Sequence, residues 1–208
     1  MVVRRVRQAL RRRLANRRAG AHRFAAFGAG STILSPATVL APHRIEIGAG
    51  VVIFERASLS VVEEFRGRRH EPRLRIGDGT LVGRDAWFSC VGTIDVGRDV
   101  LIGHNVLIAD SFHEYEDVGT PVFHQPMAPP RDTRVGDGAV LGPGAAVLAG
   151  ATIGAGAYVA ANAVVAGEIP AHAVVAGNPA EVIRRWDGRR WIDSDDARWA
   201  PLLRSLTR

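Results

Sequence analysis

The side chains best suited to chemistry lie close together in the chain: His104, then His113 with Asp110, Glu114, Tyr115, Glu116 and Asp117 around it, and His124 further on. A neutral imidazole near pH 7 can take a proton from a hydroxyl, because its ordinary pKa matches the working pH. A carboxylate on the other ring nitrogen would fix the tautomer; Asp117 and Glu114 lead for that task at His113, and Asp110 is a further candidate. Tyr115 and His104 are candidates for an acceptor pocket, whereas His22, His43, His70 and His172 carry no pattern and read as surface residues. The single cysteine, Cys90, rules out an intrachain disulfide, a Cys-based zinc site and a Cys-pair redox centre, and makes a reducing compartment the default.

What must position these residues is a strict repeat that they interrupt. An aliphatic residue returns every six positions at Val135, Leu141, Val147, Ile153, Val159 and Val165, with small residues between. A period of six suits neither a helix nor a plain alternating strand, so each unit needs a short strand and a turn. Three units make a triangular coil of about eighteen residues. Stacking at strand spacing, roughly 4.8 Å, then pairs Val135 with Ile153, Leu141 with Val159 and Val147 with Val165. The expected class is an all-β solenoid.

The same beat runs through Ile33, Val39, Ile47, Ile53 and Leu59, and again through Ile76, Val82, Phe88, Val96, Ile102 and Ile108. Glycine follows directly at Gly77, Gly83, Gly97 and Gly103, as tight corners require. Two segments leave the prism, residues 61–74 and 110–133, and the second holds His113 and His124. Long ordered loops on rigid scaffolds are where function concentrates, so 110–133 is the first place to look.

The flanks divide the chain further, with 1–26 as a basic cap, 27–181 as the solenoid and 182–208 as a tail. The net charge of +6 is local: residues 1–23 hold nine arginines and no acid, which leaves −3 for the rest. Val3, Val6, Leu10 and Leu14 fall at helical spacing, so 2–18 reads as an amphipathic helix. An open solenoid end needs a cap, and this reading is favoured over peripheral contact with a membrane surface. No nucleic acid is expected, since no base-stacking aromatics accompany the arginines. The tail, with Trp186, Trp191, Trp199, Leu202 and Leu203, is expected to be helical. A chain that is 47% hydrophobic but only 6% aromatic suits a narrow prism. No apolar run approaches the length of a membrane span and no signal-peptide pattern opens the chain, so the expected setting is cytoplasmic.

Several motifs occur in a set order: Ile102-Gly103-His104-Asn105-Val106-Leu107-Ile108, Asp110-Ser111-Phe112-His113-Glu114-Tyr115-Glu116-Asp117, Pro121-Val122, Gln125-Pro126, Val135-Gly136-Asp137-Gly138 and Val175-Ala176-Gly177-Asn178-Pro179-Ala180-Glu181-Val182-Ile183. In this set the chain resembles the hexapeptide-repeat acyltransferases, over about residues 27–185 and most in the manner of the sugar and polysaccharide O-acetyltransferase branch. The resemblance implies a left-handed parallel β-helix, a hand that spacing does not select. It implies a homotrimer with sites between neighbouring prisms, acetyl-CoA as donor, a sugar or other small hydroxylated acceptor, and His113 as the base. The coenzyme would touch Gly142, Gly144, Ala160 and Ala161, with Arg184 and Arg185 near its phosphates.

Three positions depart from the family pattern: Pro143, where relatives offer a backbone N–H to the thioester oxygen, Gly167, where they often have Lys just before the Ile-Pro turn, and Glu181, where they often have Arg. The oxyanion donor would then be Gly144 or another amide, or be missing. Two other readings stand beside this one. One is a catalytically lapsed scaffold or binding module. The other is a metal-dependent, carbonic-anhydrase-like hydratase, which the nine-residue gap between His104 and His113 disfavours, so no metal is expected.

Overall fold

In the computed structural model, which describes residues 12 and 14–206, three columns of short parallel strands enclose one apolar core. Leaving the 64–69 hairpin aside, each strand of the prism pairs with the third one after it, so the chain winds from a first face to a second and a third before returning. The first face runs from Ala26–Phe27 through Ile45–Ile47, Arg73–Ile76, Thr93–Val96, Thr133–Val135 and Thr152–Ile153 to Glu168–Ile169. The second runs from Thr32–Ile33 to Ala173–Ala176, and the third from Thr38–Val39 to Val164–Val165. Val135 pairs with Ile153, Leu141 with Val159 and Val147 with Val165. The arrangement fits a left-handed parallel β-helix.

Two-residue strands suffice because only one side chain per strand enters the prism. Ile33, Ile53, Val82, Ile102, Leu141 and Val159 form one such inward column, each fully or almost fully buried. A buried Val, Leu or Ile contributes about 1.5–3 kcal/mol, and repetition along the column makes the short coils cooperative. Phe88 is the one aromatic ring that is completely buried among the described residues.

The outward residues give the three faces different characters. The first presents charge, with Arg73 on Glu46 and Arg75 on Asp95. The second presents Val52, Leu81, Leu101, Val140, Tyr158 and Val174 in one register column. Of these, Leu81, Leu101 and Tyr158 stand exposed.

Both ends are closed. Residues 14–18 are helical, and Asn16 donates to the Ser31 carbonyl and accepts from the Ile33 amide, satisfying the open edge of the second face. Most of the helix expected over 2–18 lies outside the described residues. At the other end the tail differs from the expected helix. Glu181–Trp186 adds antiparallel to Ala173–Ala176, Trp191–Asp193 adds in turn, and α-helix is confined to Ala200–Leu206. The last coil leaves an open edge, and here a strand pairs with it. Asp187 makes the turn by accepting from the Arg189 and Arg190 amides. Among the described residues no helix is long and apolar enough to cross a membrane.

Candidate active site

Both internal excursions leave the prism at one corner, where the third face returns to the first. The chain leaves after Val61 and re-enters at Arg73, makes a tight turn at Val91-Gly92 one coil on, and leaves again after Ala109 to re-enter at Thr133. The two long segments therefore flank a short turn and meet over it.

The 110–133 loop is anchored at its root by Asp110, which is completely buried. One carboxylate oxygen accepts from the Val91 amide and the other from the Gly92 amide, both at 2.8 Å, while the Asp110 carbonyl accepts from the Arg131 amide. Burial pushes the Asp110 acid above its usual range against the pull of these amides, and burial together with Asp110 pushes the Cys90 thiol up. Gly92 must be glycine, since a Cβ there would sit 2.7 Å from the Pro130 Cβ.

Beyond the root the loop is a pair of antiparallel limbs. Ser111 donates to the Ala128 carbonyl, Ala128 to Phe112, and Glu114 to Pro126, while His113 and Met127 form a bridge. The buried Gln125 closes the far end by donating to the Asp117 and Thr120 carbonyls.

His113 is half-buried on the first limb, with the Phe65 ring edge-on at 5.1 Å. Its Nδ1 is buried and has no hydrogen-bond partner among the described residues, so the ring is held by packing and Nε2 is the nitrogen that can meet a substrate. This corrects the expectation that a carboxylate orients the ring. Asp110 is spent on the loop root. Glu114 is paired with Arg68 at 2.9 Å. Asp117 accepts from Gly119 in its own turn, and the Thr120 hydroxyl and Gly119 amide hold its acid below the usual range. Tyr115 is exposed beside Phe112. His70, expected at the surface, is half-buried with Nε2 unpartnered.

The candidate coenzyme residues stand at a different corner, between the second and third faces, in a stack that holds Gly103-His104, Gly142-Pro143-Gly144 and Ala160-Ala161. His104 belongs here and not beside His113; its Nδ1 accepts from the Arg84 amide at 2.9 Å, which fixes the ring locally. His124 stacks only on Phe123, and among the described residues no group of three metal-binding side chains exists.

Gly142 has a packing reason for being glycine: a Cβ would lie 2.5 Å from the Ala161 nitrogen. Gly144 has φ +72 and donates its N–H to the His104 carbonyl at 2.8 Å, so it has no free amide for an oxyanion, which removes one of the expected alternatives. Arg184 is likewise committed, to Asp193 at 2.8 Å and over the Trp191 ring, leaving Arg185 as the exposed cation of the pair. Glu181 draws in Arg198 at 3.0 Å, so a cation does stand beside this departure from the family pattern.

Sequence reasoning missed the hairpin inside the first excursion, where Glu64–Phe65 pairs with Arg68–Arg69. The signal was Arg66-Gly67, a two-residue turn with both residues at positive φ.

A family model described as bacterial transferase hexapeptide (six repeats) matches residues 132–167. A probable acetyltransferase of Mycobacterium tuberculosis is 30% identical over 141 residues, 68% of this chain and 44% of that protein. Serine acetyltransferase 2 of Arabidopsis thaliana is 35% identical over 125 residues, 60% of this chain and 35% of that protein. The chain thus spans less than half the length of these curated relatives. Among solved structures, AntD, an N-acyltransferase from Bacillus cereus in complex with dTDP and 3-hydroxybutyryl-CoA, superposes with a TM-score of 0.66 at 15% identity, covering 92% of this chain and 94% of that one. At that identity the likeness concerns the fold.

Proposed function

The chain belongs to the hexapeptide-repeat transferases, and on that premise we propose an acyl-CoA-dependent O-acyltransferase that moves an acetyl group from acetyl-CoA to a hydroxyl of a sugar or other small acceptor. The observation that carries the reading is His113: it sits in an ordered loop, is fixed by packing, and has Nε2 as its open nitrogen. In the proposed step Nε2 takes the hydroxyl proton as the oxygen attacks the thioester carbon. The carbon–sulfur bond breaks as the carbonyl re-forms, and the thiolate leaves with the proton returned by the imidazolium. A sugar acceptor is supported by a mutant of AntD, which is in complex with dTDP-4-amino-4,6-dideoxyglucose and Coenzyme A.

Two features support a homotrimer with its sites between prisms. The exposed apolar column Leu81, Leu101 and Tyr158 calls for a partner surface. His113 and the Gly142 to Ala161 stack also occupy opposite ends of the third face, so the loop of one prism is best placed to serve the corner of its neighbour. With Pro143 lacking an N–H and Gly144 engaged, the amide of the exposed Ala161 is the proposed oxyanion donor. Phosphate contacts fall to Arg185. The proposed left hand of the helix and the cytoplasmic setting follow from the same family reading.

A lapsed scaffold is the second reading, favoured by the engaged Gly144 amide and the committed Arg184. Purified protein given acetyl-CoA and a panel of glycosides separates the two. Acceptor-dependent release of free thiol supports transfer. No release, together with no calorimetric affinity for acetyl-CoA or CoA, selects the scaffold.

A further inference from the structure

The 62–72 hairpin touches the His113 loop at three points that the repeat does not require. The Phe65 ring packs edge-on against the imidazole at 5.1 Å. Arg66 donates through Nε to the Phe123 carbonyl at 3.2 Å, and its guanidinium lies 4.7 Å from the centre of the Phe123 ring. Arg68 donates through Nη1 both to Glu114 Oε1 at 2.9 Å and to the Met127 carbonyl at 2.7 Å. Glu114 follows His113 directly and Met127 is its bridge partner, so one guanidinium ties together both limbs around the imidazole. The turn at Arg66-Gly67 points the same way. Arg66 sits at φ +50, a strained position where Asn or Gly is the usual choice, and its long side chain is what reaches Phe123.

We infer that this hairpin is part of the active site, with Arg68 as the positioning residue that sets where His113 stands and Phe65 as the wall that fixes the ring. No carboxylate reaches Nδ1 among the described residues, so the hairpin supplies the orientation that a carboxylate would otherwise give. The inference rests on the reading of His113 as base. A base displaced by about 1 Å loses on the order of 100-fold in rate, whereas the donor corner lies elsewhere and is untouched.

The test uses the full chain. Arg68→Ala removes a side chain that is 44% exposed, so the fold should persist with its melting temperature little changed. Its kcat should fall about 10- to 100-fold with KM for acetyl-CoA unchanged, and Arg68→Lys, which keeps a multi-proton donor, should recover part of the loss. Amide hydrogen exchange should quicken at residues 112–114 and 127–128 and stay unchanged at 145–147. In a His113→Ala background Arg68→Ala should cost nothing more in rate. Wild-type kcat in Arg68→Ala beside an inactive His113→Ala overturns the hairpin's role and leaves the base standing. A fully active His113→Ala overturns the base, and with it the positioning role. Unchanged exchange in the loop of Arg68→Ala overturns the tether itself.

Discussion

Asp110 holds the loop to the prism, and replacing it by alanine should loosen both. Two amide donors, the buried Val91 and the part-buried Gly92, each give up a 2.8 Å bond to the carboxylate. A buried donor without a partner costs about 1–3 kcal/mol. The loss is offset in part because the fold no longer buries an ionisable acid, so the net destabilisation of Asp110→Ala should be about 2–4 kcal/mol. For a chain of this size that lowers the melting temperature by on the order of 10 °C. Asp110→Asn keeps one acceptor but turns an N–H₂ toward the second amide, and should lose roughly half as much.

The two substitutions also differ in pH dependence. Burial raises the Asp110 acid in the folded state, so the native protein binds this proton more tightly than the unfolded chain. The stability it contributes is complete below the ordinary carboxylate value, about 3.9, and is lost as pH rises through the higher folded value. Urea unfolding of wild type and Asp110→Asn at several pH values should therefore show the wild type losing ground to the variant as pH climbs from about 4. An Asp110→Ala protein within about 0.5 kcal/mol of wild type, or a wild-type to Asn difference that is flat with pH, would refute the reasoning.

Two further outcomes test the architecture. Leu101→Glu places a charge in the apolar column on an outward position that is 46% exposed, so the coil should fold while the proposed trimer dissociates; light scattering that finds the same assembly as in wild type removes this face from the proposed interface. Gly92→Ala puts a Cβ against the ring of Pro130 and should cost about 1–3 kcal/mol by overpacking, together with activity, and wild-type unfolding and rate would show that the close approach is not needed.

The prism was legible because its information is local: a six-residue beat forces the strands, and a stacking distance of eighteen forces the Val135 to Ile153 register. The site was legible only as a list. That Asp110 serves the loop root and not the imidazole depends on the Val91-Gly92 turn of the preceding coil, some eighteen residues away, where no spacing rule applies. The Gly144 amide looked available because glycine at a corner satisfies a turn and a ligand equally well; the His104 carbonyl one coil back decides between them. The tail misled for a related reason. Its Trp and Arg content allows helix, but the open edge at Ala173–Ala176 rewards a strand, and that edge exists only once the coils are stacked. Arg68 carried no motif at all and is defined by what the neighbouring excursion brings to it.

The role proposed for His113 is proton transfer in acetyl transfer. Its most direct test is free-thiol release from acetyl-CoA by His113→Ala beside wild type, with an accepting glycoside and at equal calorimetric affinity for the donor. The variant should lose about 10²- to 10⁴-fold in rate with donor binding intact; thiol release at the wild-type rate would exclude His113 as the base.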